Sequence, residues 1–412
     1  MSVETVRPRI SSRAVEKAPV RIAHLGLGAF HRAHQAWYTA HAAGDPWGIA
    51  AFTGRSPAVA QVLAAQDCVY TVIERGAEGD RAEIVESIVE AHDGADVSAW
   101  RSTIASPDVA VVTLTVTEAG YARGSTPPRR LVEGLAARRA ADGGPVSIVS
   151  CDNLPGNGQA MRAAIDALAD LDLAGWIDAN VAFVDTMVDR ITPSVTAADS
   201  TAALALTGAL DEAPVVTEPF SEWILAGDFP AGRPAWETAG ARFVADATPY
   251  EERKLWLLNA AHSLLAYAGS GRGFDSIDEA FADDELNAMT EQLWAEQRAV
   301  LSLGDEEIDS ALAALRERFA NPRIRHSLQQ IAQMGALKLP VRILDPMRRR
   351  EERGLGHGAA QRATIAAWAD HLVRFDPADA ASAAIARLLA RNPRAEPVDL
   401  IIDTLTTEQH AS

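Results

Sequence analysis

Lys254-Leu-Trp-Leu-Leu-Asn259-Ala-Ala-His262-Ser263 places an amine, an amide and an imidazole at positions i, i+5 and i+8 of a strongly helical stretch. At about 100° per residue they fall at roughly 0°, 140° and 80° around an α-helix, on one side of it. A base, an amide donor and an imidazole on one face can handle an alcohol proton without a metal. The flanking residues, Leu255 to Leu258, Ala260, Ala261, Leu264 and Leu265, are apolar on nearly all sides, which predicts a largely buried helix. A lysine desolvated in such a place has a lowered pKa and can act as a general base near neutral pH. The competing reading is an amphipathic helix that turns three polar residues to water.

A second group of residues is suited to phosphate. Val20–Leu25 reads as a short strand that runs straight into Gly26-Leu-Gly28-Ala29-Phe30. Two glycines allow close approach of a pyrophosphate, and the following helix start offers N–H donors and positive potential. The third position of the Gly-x-Gly-x-x-Gly pattern is His31, so the fingerprint is incomplete, and an ordinary glycine turn is the alternative. The next strand ends at Phe52-Thr-Gly-Arg55-Ser56, with no acid to receive the ribose hydroxyls of NAD. Arg55 and Ser56 could meet a 2′-phosphate instead, which keeps NADP open beside NAD. Arg55 could equally be a solvated loop residue.

Three further places follow or precede regular elements. Ser150-Cys-Asp152-Asn153-Leu-Pro-Gly-Asn157 follows an apolar strand, where a loop faces the ligand crevice, and Asn153 could donate to a developing alkoxide. A helix cap and turn cluster would use the same residues. Asp189 and Arg190 also follow a strand and could pair with each other or reach a sugar hydroxyl. Asn321-Pro-Arg323-Ile-Arg325-His326 reads as a helix start. Arginines there oppose the helix dipole unless an anion compensates, and a substrate carboxylate would do so.

The elements that must position these residues form two groups. Strand candidates at 20–25, 47–52, 70–74, 109–116, 146–151 and 180–183 alternate with helical patterns at 31–43, 58–66, 131–141 and 158–171. The 109–116 run is apolar and β-branched on both faces, as a central parallel strand must be. This predicts a doubly wound, Rossmann-type α/β domain. Beyond about Tyr250 the patterns are helical, at 251–269, 276–300, 306–319, 325–335, 359–373 and 378–391, which predicts an all-α domain. The expected organisation is a flexible arm over 1–19, a dinucleotide domain over 20–249 and a helical domain over 250–412.

Composition narrows the class. The chain has 412 residues, 48% of them apolar, enough for two or three cored domains. A net charge of −18 argues against nucleic acid as a partner. Two distant cysteines, Cys68 and Cys151, supply neither a disulfide framework nor a zinc site, and fit a reducing cytoplasm. No stretch approaches the length of a membrane span and residues 1–19 do not read as a secretory signal. The oligomeric state stays open, a monomer included.

Taken together, several ordered motifs resemble the mannitol dehydrogenase–fructuronate reductase family of metal-independent long-chain dehydrogenases. They are 26–35 (Gly-Leu-Gly-Ala-Phe-His-Arg-Ala-His-Gln), 114–121 (Leu-Thr-Val-Thr-Glu-Ala-Gly-Tyr), 150–153, 187–193, 218–220, 232–234 and the Lys-x4-Asn-x2-His helix. The resemblance runs from about Arg21 to about Arg350. It implies hydride transfer between a nicotinamide and a secondary alcohol carbon, with the active site between the two domains. It implies Lys254 as general base, Asn153 and Asn259 as the oxyanion pocket and His262 as orienter of the hydroxyl. Cofactor contacts would come from Gly26, Gly28, Ala29, Phe30, Arg55 and Thr115. Substrate contacts would come from Asp189, Arg325 and His326, with no metal site. The stretch from Ile324 to Pro346 looks most like the fructuronate reductase branch, which interconverts D-mannonate and D-fructuronate. There Arg325, His326 or Lys338 would receive the carboxylate. The mannitol 2-dehydrogenase branch is the alternative, and the phosphorylated-mannitol branch matches less well. The chain is shorter than the family pattern near its C-terminus and between Ala299 and Ala311. A non-catalytic dinucleotide-binding regulator on the same fold is the alternative of another class.

Overall fold

A computed structural model describes Ile10, 13–122, 124–375, 377 and 379–411. The chain divides into two compact units, Met1–Thr248 and Pro249–Ser412.

The first unit holds eleven strands among its described residues: β1 (Val20–Leu25), β2 (Gly48–Phe52), β3 (Tyr70–Gly76), β4 (Gly79–Val85), β5 (Ile88–His92), β6 (Val111–Leu114), β7 (Val146–Ser150), β8 (Val181–Asp189), β9 (Val215–Thr217), β10 (Glu222–Ala226) and β11 (Arg242–Phe243). Eight of them form one sheet in the order β11-β10-β8-β7-β6-β1-β2-β5. Pairing is parallel from β5 through β8, and β10 runs antiparallel to β8. Every residue of β2, β6 and β7 is buried, as strands covered on both faces require. The order reverses at β1: the chain leaves it toward β2 on one side and returns with β6 on the other. The carboxyl ends of β1 and β6 therefore make the topological switch point, where open α/β sheets bind ligands.

Several local expectations change. The strand at 70–74 is not part of the main sheet; as β3 it pairs with β4 and β9 in a three-stranded sheet. The strand placed at 180–183 is the start of the longer β8. The helix expected over 31–43 is two, Ala29–Ala33 and Gln35–His41, broken at His34 with φ −122° and ψ −89°. That break turns the His34 ring onto Phe30 and brings Nε2 to 3.0 Å from the carbonyl of Glu222. The helix at 158–171 ends at Asp166, and Asp170 caps a new one, Leu171–Asn180. Of the arm over 1–19, residues 1–9, 11 and 12 lie outside the described residues. Within the described part, Arg13 donates to the carbonyl of Glu86 at 2.5 Å and Lys17 pairs with Asp67 at 2.8 Å.

Within Pro249–Ser412 the named elements are all helices, packed around Trp256, Leu264, Trp294, Phe319, Leu339 and Trp368. The helix expected at 251–269 is one rod with three windings: α over Thr248–Arg253, π over Lys254–Asn259 and α over Ala260–Arg272. A second π segment, Pro340–Leu344, lies between helices Gly335–Leu339 and Asp345–Glu352. No helix among the described residues is long and apolar enough to cross a membrane.

Candidate active site

The Gly26-Leu-Gly28 turn stands at the switch point. The amides of Gly26 and Leu27 donate to the carbonyl of Phe52 at 2.9 Å, fastening the end of β1 to the end of β2. Gly26 has φ +113°, and a Cβ there would lie 2.1 Å from the carbonyl oxygen of Thr115. Thr115, just after β6, donates its hydroxyl to the carbonyl of Gly26 at 2.7 Å. Gly28 is different: a Cβ there would meet nothing closer than 3.5 Å, so its bare backbone leaves room for a ligand. Ala29 and Phe30 open the short helix that follows, and both are half-buried. Arg55 is exposed after β2.

His31, in the third-glycine position, is fully buried and stacks on His24 at 3.3 Å between ring centres. Thr115 spends its proton on Gly26, so it accepts from His24 Nε2 at 3.2 Å, and His24 Nδ1 accepts from Thr113 at 2.8 Å. Burial pushes His24 down to about 3 and His31 well below its ordinary value. Two neutral rings thus fill the space under the turn, where the fingerprint uses a glycine for close packing.

The loop after β7 is fastened at several points. Cys151 N–H donates to the carbonyl of Leu114 at 2.8 Å, which sets this loop beside the one carrying Thr115. Asn157 is buried, donates to the carbonyls of Asp152 and Thr186, and accepts from Thr186 N–H. Asn153 between these anchors is exposed. At the end of β8, Asp189 is buried. Arg190 pairs with Glu74 at 2.6 Å, donates to the carbonyls of Ala33 and Glu218, and lies over the Trp37 ring. Its guanidinium is part of the scaffold.

In the second unit the rod carrying Lys254, Asn259 and His262 is buried on most sides, as its apolar flanks predict, yet Lys254 and Asn259 are half-buried. The π winding changes the wheel. An i→i+5 ladder turns through fewer degrees per residue than an i→i+4 ladder, so Lys254 and Asn259 lie closer to one face than 140°. Arg342, in the second π segment, donates to the Asn259 carbonyl and to Ser263 Oγ, each at 3.1 Å. Trp256 Nε1 donates to the carbonyl of Val341 at 3.1 Å, so the two π segments are bonded to each other. Sequence reading missed Arg342, because its partners lie some eighty residues away.

His262 is buried, stacks on Phe319 at 5.0 Å and meets the His326 ring edge-on at 4.9 Å. Its Nε2 is buried without a hydrogen-bond partner. Burial lowers both imidazoles, His326 to about 4, and the charges of Arg318 and Lys338 lower them further. The helix expected to open with Arg323 and Arg325 does not. Regular winding starts at Leu328 after Ser327, so neither arginine meets a helix dipole. Arg325 is exposed and pairs with Glu279 at 2.9 Å, whereas His326 joins His262.

The sequence matches two family descriptions: the mannitol dehydrogenase Rossmann domain over residues 20–238 and the mannitol dehydrogenase C-terminal domain over 246–386. It is 37% identical to a D-mannonate oxidoreductase of Escherichia coli over 364 residues, covering 80% of this chain and 74% of that protein. It is 34% identical to a mannitol 2-dehydrogenase of Cereibacter sphaeroides over 382 residues, 84% of this chain and 79% of the relative. A solved Pseudomonas fluorescens mannitol 2-dehydrogenase, in ternary complex with NAD and D-mannitol, superimposes with a TM-score of 0.78 at 28% identity. That likeness covers 97% of this chain and 96% of the other.

Proposed function

Because the chain belongs to the mannitol dehydrogenase family, we propose that it oxidises a secondary alcohol of a sugar acid or polyol with NAD, D-mannonate and D-fructuronate being the preferred pair. The observation that carries the cofactor reading is the switch-point turn, whose strained Gly26 and open Gly28 fit a pyrophosphate. Gly26, Gly28, Ala29, Phe30 and Thr115 would hold the dinucleotide, which when bound takes up the hydride. Arg55 is exposed in the loop after β2 and could meet a 2′-phosphate, so NADP is tested beside NAD.

Lys254 takes the hydroxyl proton as general base. Asn153 and Asn259 donate amide N–H groups to the alkoxide-like oxygen, which has most charge in the transition state. His262, kept neutral by burial, orients the hydroxyl. Asp189 and His326 are the further substrate contacts. Arg325 is the weaker candidate, since it already pairs with Glu279. The positive charges of Arg318, Arg342 and Lys338, all felt by His262, favour a substrate with a carboxylate.

The mannitol–fructose pair is the second reading, supported by the whole-length likeness to the mannitol 2-dehydrogenase structure. The test is formation of reduced nicotinamide from D-mannonate, D-mannitol and a small panel of polyols and aldonates, with NAD and NADP. Turnover of mannonate alone supports the first reading, and turnover of mannitol alone the second. Cofactor binding without turnover of any of them would favour a regulator.

A further inference from the structure

The Glu118-Ala-Gly-Tyr121 end of the 114–121 motif has no part in the reading above. These four residues form one turn of 3₁₀ helix shortly after β6. The turn is well fixed. Gly120 N–H donates to the carbonyl of Thr117 at 2.6 Å, and Ser125 Oγ donates to the carbonyl of Gly120 at 2.6 Å. Tyr121, half-buried, donates its hydroxyl to Asp152 Oδ2. The other carboxylate oxygen, Oδ1, accepts from Leu154 N–H at 3.4 Å, which closes an Asx-type turn with Asn153 as its middle residue. Asn157 holds the Asp152 carbonyl from a third direction at 3.2 Å. Both oxygens of the Asp152 carboxylate are thus engaged, one by the turn it closes and one by Tyr121. Burial and the Asp152 charge raise the Tyr121 hydroxyl far above its ordinary value, so it remains a donor.

We propose that Tyr121 is a positioning residue: acting through Asp152, it sets the direction of the exposed Asn153 amide and couples the Thr115 loop to the Asn153 loop. The inference rests on the reading of Asn153 as an alkoxide donor. The phenol's bond to Oδ2, added to the Leu154 N–H bond to Oδ1, restricts the torsions of the Asp152 side chain, so the turn that carries the amide is set before substrate arrives.

Tyr121→Phe deletes one oxygen and keeps the ring. The expected result is a fall in kcat of about 10- to 100-fold, below the loss from deleting an oxyanion donor outright. KM for the alcohol and the Kd for NADH should stay within about twofold, because neither is bound through this pair. A primary deuterium isotope effect on the alcohol carbon should rise toward its full value as hydride transfer becomes rate-limiting. In the cofactor-free protein, the Leu154 amide should exchange faster with deuterium in the variant. Asp152→Asn is the second variant: if Tyr121 works through Asp152, adding Tyr121→Phe to it should cost little more. Unchanged kcat, or losses that multiply in the double variant, would overturn the proposal. So would a fall in kcat matched by weakened NADH binding, which marks a merely structural residue. A wild-type protein inert toward every polyol and aldonate would overturn the functional reading instead. Leu154 exchange still decides the turn clamp in that case, since it needs no turnover.

Discussion

Lys254 and Asn259 are half-buried while the side chains between and beyond them are mostly sealed, so the rod leaves an amine and an amide partly accessible and keeps the rest for packing. Lys254→Ala should lower kcat/KM by about 10²- to 10⁴-fold, the usual range for losing a general base, while NADH titration stays as in the wild type. A variant that retains full turnover would remove Lys254 from the role. The mostly buried rod that carries Lys254, Asn259 and His262, and the turn of Gly26 and Gly28 after β1, were legible in the sequence from residue type and spacing. Arg325 was not, because its position hung on a helix boundary that lies three residues further on, and charge type alone could not reveal its pairing with Glu279. Tyr121 and Arg342 were equally hidden. Each acts on a partner that local spacing does not bring near.

The two π segments are where elements and function meet. An α-helix and a π-helix draw on the same residue types, so nothing in Lys-Leu-Trp-Leu-Leu-Asn distinguishes them in the sequence. The wider ladder disturbs the regular carbonyl pairing, and Arg342 meets one such carbonyl, that of Asn259. Arg342→Met should destabilise the second unit by about 1–3 kcal/mol, the range for a charged hydrogen bond lost from a protected site. It should lower kcat as well, because the Asn259 carbonyl loses one of its two side-chain donors and keeps only the Ser263 hydroxyl. Thermal unfolding and steady-state kinetics check the two parts, and a variant unchanged in both would mean the carbonyl is satisfied without Arg342. Strands show the same contrast. The apolar β1, β2, β6 and β7 were readable by composition. The far half of β8 was not, since Asp185 and Thr186 look like loop residues. They are strand residues whose side chains fasten neighbouring elements: Asp185 accepts from Gly158 and Gln159 at a helix start, and Thr186 donates to the Ser150 carbonyl. β4, Gly-Asp-Arg-Ala-Glu-Ile-Val, is too polar to read as a strand and needs β3 as its partner.

At the scale of the molecule, each unit buries neutral imidazoles. His24 (about 3), His31, His262, His326 (about 4) and His371 all have pKa values lowered chiefly by burial. In the unfolded chain these groups titrate near 6.5. Below that pH the unfolded state binds protons that the folded state refuses, so stability rises with pH and is lost as pH falls from about 6.5 toward 4 and 3. A fully buried group of this kind contributes at most about 1.4 kcal/mol per pH unit within its window, and the half-buried His371 less. His41, raised by Glu83, acts in the opposite sense, but it stands against five. Thermal midpoints should therefore fall measurably between pH 6.5 and 5, before ordinary carboxylates protonate, and a flat profile would contradict the buried neutral state. His326→Gln should remove His326's own share of that loss and leave the shares of His262 and His371 in the second unit.

The two cysteines carry a last consequence. Cys68 and Cys151 are buried free thiols, and both lie in the first unit. Burial raises both thiols, so a maleimide or a disulfide reagent finds neither thiolate nor access while that unit stays closed. The chain thus carries its own chemical clock for one half of itself. Labelling ticks only as the first unit opens, the second contributes no signal, and any cofactor that tightens the turn beneath Gly26 should slow it.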